Sequence, residues 1–133
     1  MSENHYAEFS ECGMKPQDVL AYVSGPVPVP AEGEVLVRMM VAPINPADIN
    51  FIQGVYGVKP VLPHSRAGLE GCGMVEESRA DGFRKGDQVI LLRGVGSWSE
   101  LVAVPAVNLM KLPVAVDPVQ AAMLKVNPLT ALR

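Results

Sequence analysis

A mainly β fold, a barrel or sandwich of short strands with one long helical excursion after the third strand, is what the sequence predicts. Three observations carry that expectation. Twelve prolines and twelve glycines are spread along 133 residues rather than gathered in a tail, above the usual shares of about 5% and 7%. The apolar runs are short, and each is bounded by Gly, Pro or charged residues. One of them, residues 34–44, alternates, with Val35, Val37, Met39 and Val41 on one face and Leu36, Arg38, Met40 and Ala42 on the other.

Taken in order, the stretches around Tyr6 to Cys12 and Val19 to Val23 read as a first hairpin. Gly25-Pro-Val-Pro-Val-Pro30 lacks ladder donors and is expected to be an extended surface segment. The strongest strand, 34–44, runs into Asn45-Pro46-Ala47-Asp48. There Asn45 can cap a helix, Pro46 suits its first position and Asp48 puts a carboxylate in its first turn. That helix is expected to stop at Gly54, the natural left-handed residue. Residues 55–68 hold two Gly and two Pro without periodicity and read as a loop carrying Tyr56, His64 and Arg66.

Gly71-Cys72-Gly73-Met-Val-Glu-Glu77 reads as a strand whose glycines admit another backbone closely. Further strands are expected at Gln88–Leu92, Trp98–Val104 and Asn108–Leu112, with Gly94-Val95-Gly96 leading into the second of these. Asp117-Pro118 opens a helix through Leu124. The total is roughly seven short strands and two short helices.

Composition narrows the function. Net charge is −3 and the basic residues are scattered among acidic ones, so nucleic acid and anionic membrane are not expected partners. No apolar run reaches the roughly 20 residues of a membrane span. The N-terminal residues have no signal or transit character, which makes the cytoplasm the expected location. Cys12 and Cys72 lie far apart with no CxxC pair and no neighbouring His, and structural zinc takes about four ligands in close pairs. His5 and His64 are too isolated to suggest ligands.

The string Asn45-Pro-Ala-Asp-Ile-Asn-Phe-Ile-Gln-Gly-Val-Tyr-Gly57 resembles the medium-chain dehydrogenase/reductase superfamily, and within it the zinc-free 2-enoyl thioester reductases and quinone oxidoreductase-like members. Pro60-Val-Leu-Pro63, Glu70-Gly71-x-Gly73, Gly86-Asp87-x-Val89, Gly96-Ser97-Trp98 and Val126-Asn-Pro-Leu-Thr-Ala131 follow in matching order. The resemblance implies a GroES-like, partly open β-barrel with two or three short helices. It also implies a division into residues 1–120, the substrate-side catalytic domain, and 121–133, the start of a segment leading into a Rossmann cofactor domain. That cofactor domain is absent from this chain, which has no Gly-x-Gly-x-x-Gly fingerprint.

The implied activity is NADPH-dependent reduction of the C=C bond of 2-enoyl thioesters carried on CoA or acyl carrier protein, with the whole protein a homodimer. The alternatives are a quinone oxidoreductase-like enzyme or a non-enzymatic GroES-like module. By resemblance Tyr56 is the catalytic proton donor, and a phenol is protonated at neutral pH. Asn45, Asn127 and Thr130 are the cofactor-binding residues in the same reading. Trp98 is a candidate wall of the substrate pocket, against the commoner role of a core anchor. Asp48 is expected only to stabilise its helix, Glu70 to act as a structural acceptor, and Arg66 to be a solvated charge unless it meets a phosphate of the acyl handle.

No zinc is implied. Zinc-dependent relatives carry Cys at the place of Asn45, and Gly-His-Glu at the place of Gly68-Leu69-Glu70. By itself the chain is expected to be inactive and to hold no cofactor.

Overall fold

A computed structural model describes residues 3–94 and 96–132; Arg133 and the middle of Gly94-Val95-Gly96 lie outside the described residues. The first strands are β1 (Asn4–Phe9) and β2 (Ala21–Gly25), antiparallel with Asn4 opposite Gly25 and Glu8 opposite Ala21. The two strands of the expected hairpin do pair, but Pro16 opens a one-turn helix between them, α1 (Pro16–Val19). β1 also begins earlier than expected. Asn4, fully buried, uses its side-chain amide as a second backbone, donating to the Leu101 carbonyl and accepting from the Leu101 N–H, both at 2.9 Å.

The alternating segment forms β3 (Glu34–Val41), with Val35 and Val37 fully buried. It is followed by α2 (Pro46–Gln53), which stops at Gly54 in the left-handed conformation, φ 81°. The expected loop contains a two-residue strand, β4 (Ser65–Arg66), paired with β1. It went unanticipated because so short a pairing has no period of its own.

The rest follows as β5 (Cys72–Ser78), β6 (Gln88–Leu91), β7 (Leu101–Pro105), a 3-10 turn at Ala106–Asn108 and β8 (Leu109–Lys111). Two short helices, α3 (Pro118–Ala121) and α4 (Val126–Ala131), come after it. Asp117 caps α3, accepting from the Val119 N–H at 2.9 Å. The helix ends three residues before Leu124, the expected limit.

Two antiparallel sheets result, ordered β2-β1-β4 and β7-β3-β5-β6-β8. They are stitched where β1 meets the lead-in to β7: Tyr6 bridges Ser99, and the Ala7 N–H donates to the Trp98 carbonyl at 2.9 Å. This is the expected mainly β, open barrel rather than a closed one.

Three apolar clusters hold it. Val35, Val37, Val75, Val89, Leu91 and Val104 fill the five-stranded sheet's inner face. Phe9, Phe51, Ile52 and Ala67 bind α2 to β1, with the two phenyl rings edge to face at 5.8 Å and 89°. Ala121 and Ala122 seat α3 and the residue after it on Cys72 and Ile90. Each fully buried large aliphatic or Phe side chain contributes about 1.5–3 kcal/mol, so α2, with two such residues, is a firm platform for the loop that follows it.

Candidate functional site

The site begins with the way α2 ends. Gly54 donates its N–H back to the Phe51 carbonyl at 3.1 Å, and its positive φ turns the chain sharply away from the helix. Two residues later Tyr56 emerges half-buried. Its ring packs on the Phe9–Phe51 cluster, and the residue lines an open cavity of about 440 Å³ together with Val58, Leu69, Arg93, Gly94 and Lys125. Tyr56 therefore stands in a cavity wall and is not sealed inside the barrel.

Behind this wall lies a buried polar cluster. Asn45 and Asp48 face each other as a capping box at the start of α2. The half with full hydrogen-bond geometry belongs to Asp48, whose Oδ2 accepts the Asn45 N–H at 2.7 Å while Oδ1 accepts the Leu69 N–H at 2.9 Å. Asp48 is 1% exposed, and burial pushes its carboxyl above the usual range, opposed by those two N–H donors. The capping expected of Asn45's side chain thus falls chiefly to Asp48, because the Asn45 amide is directed elsewhere: Nδ2 donates to Glu70 Oε2 at 2.8 Å. Glu70, 2% exposed, accepts with Oε1 from the backbone N–H groups of Lys125 and Val126 at 3.1 and 2.8 Å.

Lys125 completes the cluster. Its Nζ donates to the Leu69 carbonyl at 2.9 Å and to the Leu92 carbonyl at 3.3 Å. Burial pulls the amine below its ordinary value, while the charges of Glu70 and Asp48 push it back up. Lys125 and Arg93 on the Tyr56 cavity were missed from sequence. A signal existed for Lys125, a lone cation between Leu124 and Val126; none existed for the convergence of residues 69, 92 and 125.

Of the residues read as cofactor-binding, Asn127 and Thr130 lie on α4 and are exposed. Thr130 Oγ1 donates to the Val126 carbonyl at 2.8 Å, so toward a ligand its oxygen can only accept. Asn45 sits behind the wall, tied to Glu70. Trp98 does not line the Tyr56 cavity. Its half-buried indole packs on the Phe9–Phe51 cluster and donates Nε1–H to the Pro43 carbonyl at 3.3 Å. Arg66 is no freely solvated charge either: its guanidinium carbon lies 3.3 Å from the centroid of the Tyr6 ring.

The profile of the alcohol dehydrogenase GroES-like domain matches residues 31–114. The mitochondrial enoyl-[acyl-carrier-protein] reductase of Xenopus tropicalis is 38% identical over 122 residues, which are 90% of this chain and 35% of that protein. Among solved structures, the complex of Etr1p with NADP and crotonyl-CoA superposes on 99% of this chain with TM-score 0.87 and 30% identity, and 43% of it is covered. The mitochondrial 2-enoyl thioester reductase Etr1p/Etr2p heterodimer from Candida tropicalis gives TM-score 0.87 and 31% identity, over 99% of this chain and 43% of that one. A Bacillus thuringiensis protein assigned as an NADPH:quinone reductase gives TM-score 0.86 and 35% identity over 99% of this chain and 40% of its own. The chain therefore spans well under half the length of each of these relatives. With the profile match and the superpositions in agreement, the chain belongs to the alcohol dehydrogenase GroES-like domain family, within the medium-chain dehydrogenase/reductase superfamily.

Proposed function

We propose that this chain is the substrate-side half of a zinc-independent enoyl thioester reductase, which reduces the C=C bond of a 2-enoyl thioester with NADPH. The observation that carries the reading is the placement of Tyr56: it is half-buried, fixed by the left-handed stop of α2, and set in a cavity whose other polar side chains are the cations Arg93 and Lys125. In the whole protein residues 1–120 form the catalytic side, and 121–133 lead into a dinucleotide-binding domain. The shares of 35% and 43% covered in the relatives support that division. The Etr1p/Etr2p heterodimer supports assembly in pairs, here of two copies of one chain.

The chain's own residues suit such a reaction. NADPH, when bound, supplies a hydride to the β-carbon. Tyr56 holds a proton at its phenolic oxygen for the α-carbon. Arg93 and Lys125 give the cavity a positive potential where negative charge develops on the thioester oxygen. On α4, Thr130 Oγ1 offers an acceptor and Asn127 an exposed amide, enough for one edge of a nicotinamide riboside, while the phosphates need a glycine turn that this chain does not have. Zinc independence is supported by the donor chemistry at Asn45, an amide engaged with Glu70 and a poor substitute for a thiolate or imidazole ligand.

The second reading, a quinone oxidoreductase-like enzyme, draws support from the 35% identity to the Bacillus thuringiensis protein. Supplying the whole protein and NADPH with crotonyl-CoA and, separately, with a simple quinone decides between them. Turnover of crotonyl-CoA is expected; quinone reduction with no enoyl turnover would overturn the thioester reading.

A further inference from the structure

The Tyr56 cavity does not end at its own wall. It shares Val58 and Gly94 with a second open cavity of about 480 Å³, whose lining includes Phe51, Val61 and Pro63 together with Lys59 and Arg66. The chain carries 14 acidic against 11 basic residues, yet among the described residues no Asp or Glu lines either cavity. The two run together as a tract with an apolar floor and cations along its length.

The cations at the outer end are held without being neutralised. Arg66 lies over the Tyr6 ring, whose π face orients a guanidinium but leaves its charge and its N–H groups available at the rim. The ammonium of Lys59 donates to the Gly54 carbonyl at 2.9 Å, again a dipole and not a charge. Among the described residues the ion pairs belong to His5, Arg38, His64 and Lys111, so neither Lys59 nor Arg66 has a carboxylate partner. His64, on the same wall, is engaged by Glu8 and adds little to the potential.

A ligand matched to this tract has an uncharged reacting end at Tyr56, a neutral arm passing Val58, and a strong anion at the far end. We infer that Lys59 and Arg66 bind the phosphate of the substrate's handle, a phosphorylated pantetheine-type thiol. The inference rests on the thioester reading of the Tyr56 cavity and names which part of that substrate the neighbouring cavity takes. A fixed guanidinium beside an ammonium suits a phosphate dianion, the first by its planar fork and the second as a point charge.

The test uses the whole protein and charge-removing substitutions that keep hydrogen-bond donors, Lys59→Gln with Arg66→Gln. Calorimetric titration compares three probes: butyryl-CoA, butyryl-pantetheine, which lacks phosphate, and NADPH. The double variant is expected to weaken butyryl-CoA about tenfold while butyryl-pantetheine and NADPH hold their affinity. Raising salt from about 50 to 300 mM is expected to weaken butyryl-CoA but not the phosphate-free butyryl-pantetheine in the unsubstituted protein, a measurement independent of how the variant folds. Equal weakening of both thioesters, no weakening of either, or a loss confined to NADPH would overturn the assignment. NADPH-dependent reduction of crotonyl-pantetheine reports separately on the thioester reading: its absence defeats that reading, whereas the ratio of the two thioester affinities decides the role of Lys59 and Arg66. Failure of the unsubstituted protein to bind butyryl-CoA at all overturns both.

Discussion

Glu70 Oε2 and Asn45 Nδ2 lie 2.8 Å apart, and through this contact one buried carboxylate joins two helices. Its other oxygen accepts the backbone N–H groups of Lys125 and Val126 where α4 begins. The helix whose end carries Tyr56 and the helix that carries Asn127 and Thr130 are thus referenced to the same side chain. Glu70→Gln keeps the shape but turns an amide NH₂ toward one set of donors, so it is expected to cost about 1–3 kcal/mol, with Glu70→Ala costing more by leaving all three donors unpaired. Urea unfolding of the two variants checks the order. Equal midpoints for Glu70→Ala and the unsubstituted protein would show the cluster to be idle.

Gly73 admits a strand that no other residue would. A Cβ built there meets the Arg38 carbonyl oxygen at 2.5 Å and Val37 Cγ1 at 2.6 Å, and a backbone oxygen in a central strand cannot swing aside. Gly73→Ala is expected to push β5 away from β3 and cost about 1–3 kcal/mol, as overpacking does. Gly82→Ala, with open space at its Cβ position, makes the useful contrast, since its cost comes from the positive φ alone. Thermal melts showing Gly73→Ala as stable as the unsubstituted chain would mean that the two strands are more loosely coupled than their register indicates.

What the sequence made legible is what local chemistry determines. Asn45-Pro46 and Gly54 carry the signals for both ends of α2, and the alternation from Val35 onward sets the buried face of β3. Ser65–Arg66 was legible in neither respect: its pairing with Phe9 and Glu8 is decided by the return of a distant loop. The same holds at the site. Tyr56 stood out because it sits between a helix stop and a glycine, whereas Lys125 gained its place only when the Leu69 and Leu92 carbonyls were brought to it. Trp98 could not be placed from sequence because an indole with one N–H suits a pocket and a core equally; its partner, the Pro43 carbonyl, lies 55 residues away in the chain.

Arg38 and Glu76 pair across β3 and β5, with Nε 3.1 Å from Oε2, and the guanidinium holds the Glu76 carboxyl below its ordinary value. A carboxyl lowered in the folded state stabilises that state above its unfolded value, about 4.3 for Glu, and the contribution is lost as pH falls through the folded value. Both side chains are substantially exposed, so the effect is small and screened by salt. The stability difference between Glu76→Gln and the unsubstituted protein is expected to favour the latter at neutral pH and to be lost as pH falls through the lowered folded-state value of Glu76. A difference that persists in acid would assign it to packing on the sheet and not to the ion pair.

Tyr56→Phe separates chemistry from scaffold better than any other change in this chain. The ring packs on the Phe9–Phe51 cluster, and Phe keeps that packing, so stability is expected to stay within about 0.5 kcal/mol, as for other substitutions that leave buried contacts intact. Only the hydroxyl is removed, from a residue that lines the same cavity as Arg93 and Lys125. In the whole protein, loss of a positioned proton donor is expected to lower kcat for crotonyl-CoA by about 10²- to 10⁴-fold, while NADPH affinity is expected to change little, because the proposed cofactor-binding residues Asn45, Asn127 and Thr130 are untouched. Stopped-flow turnover and a separate NADPH titration distinguish the two quantities. A fall in cofactor affinity with kcat preserved would make Tyr56 part of the binding wall, and an unchanged kcat would hand proton donation to another group; Lys125, whose amine burial has made more acidic, lines the same cavity.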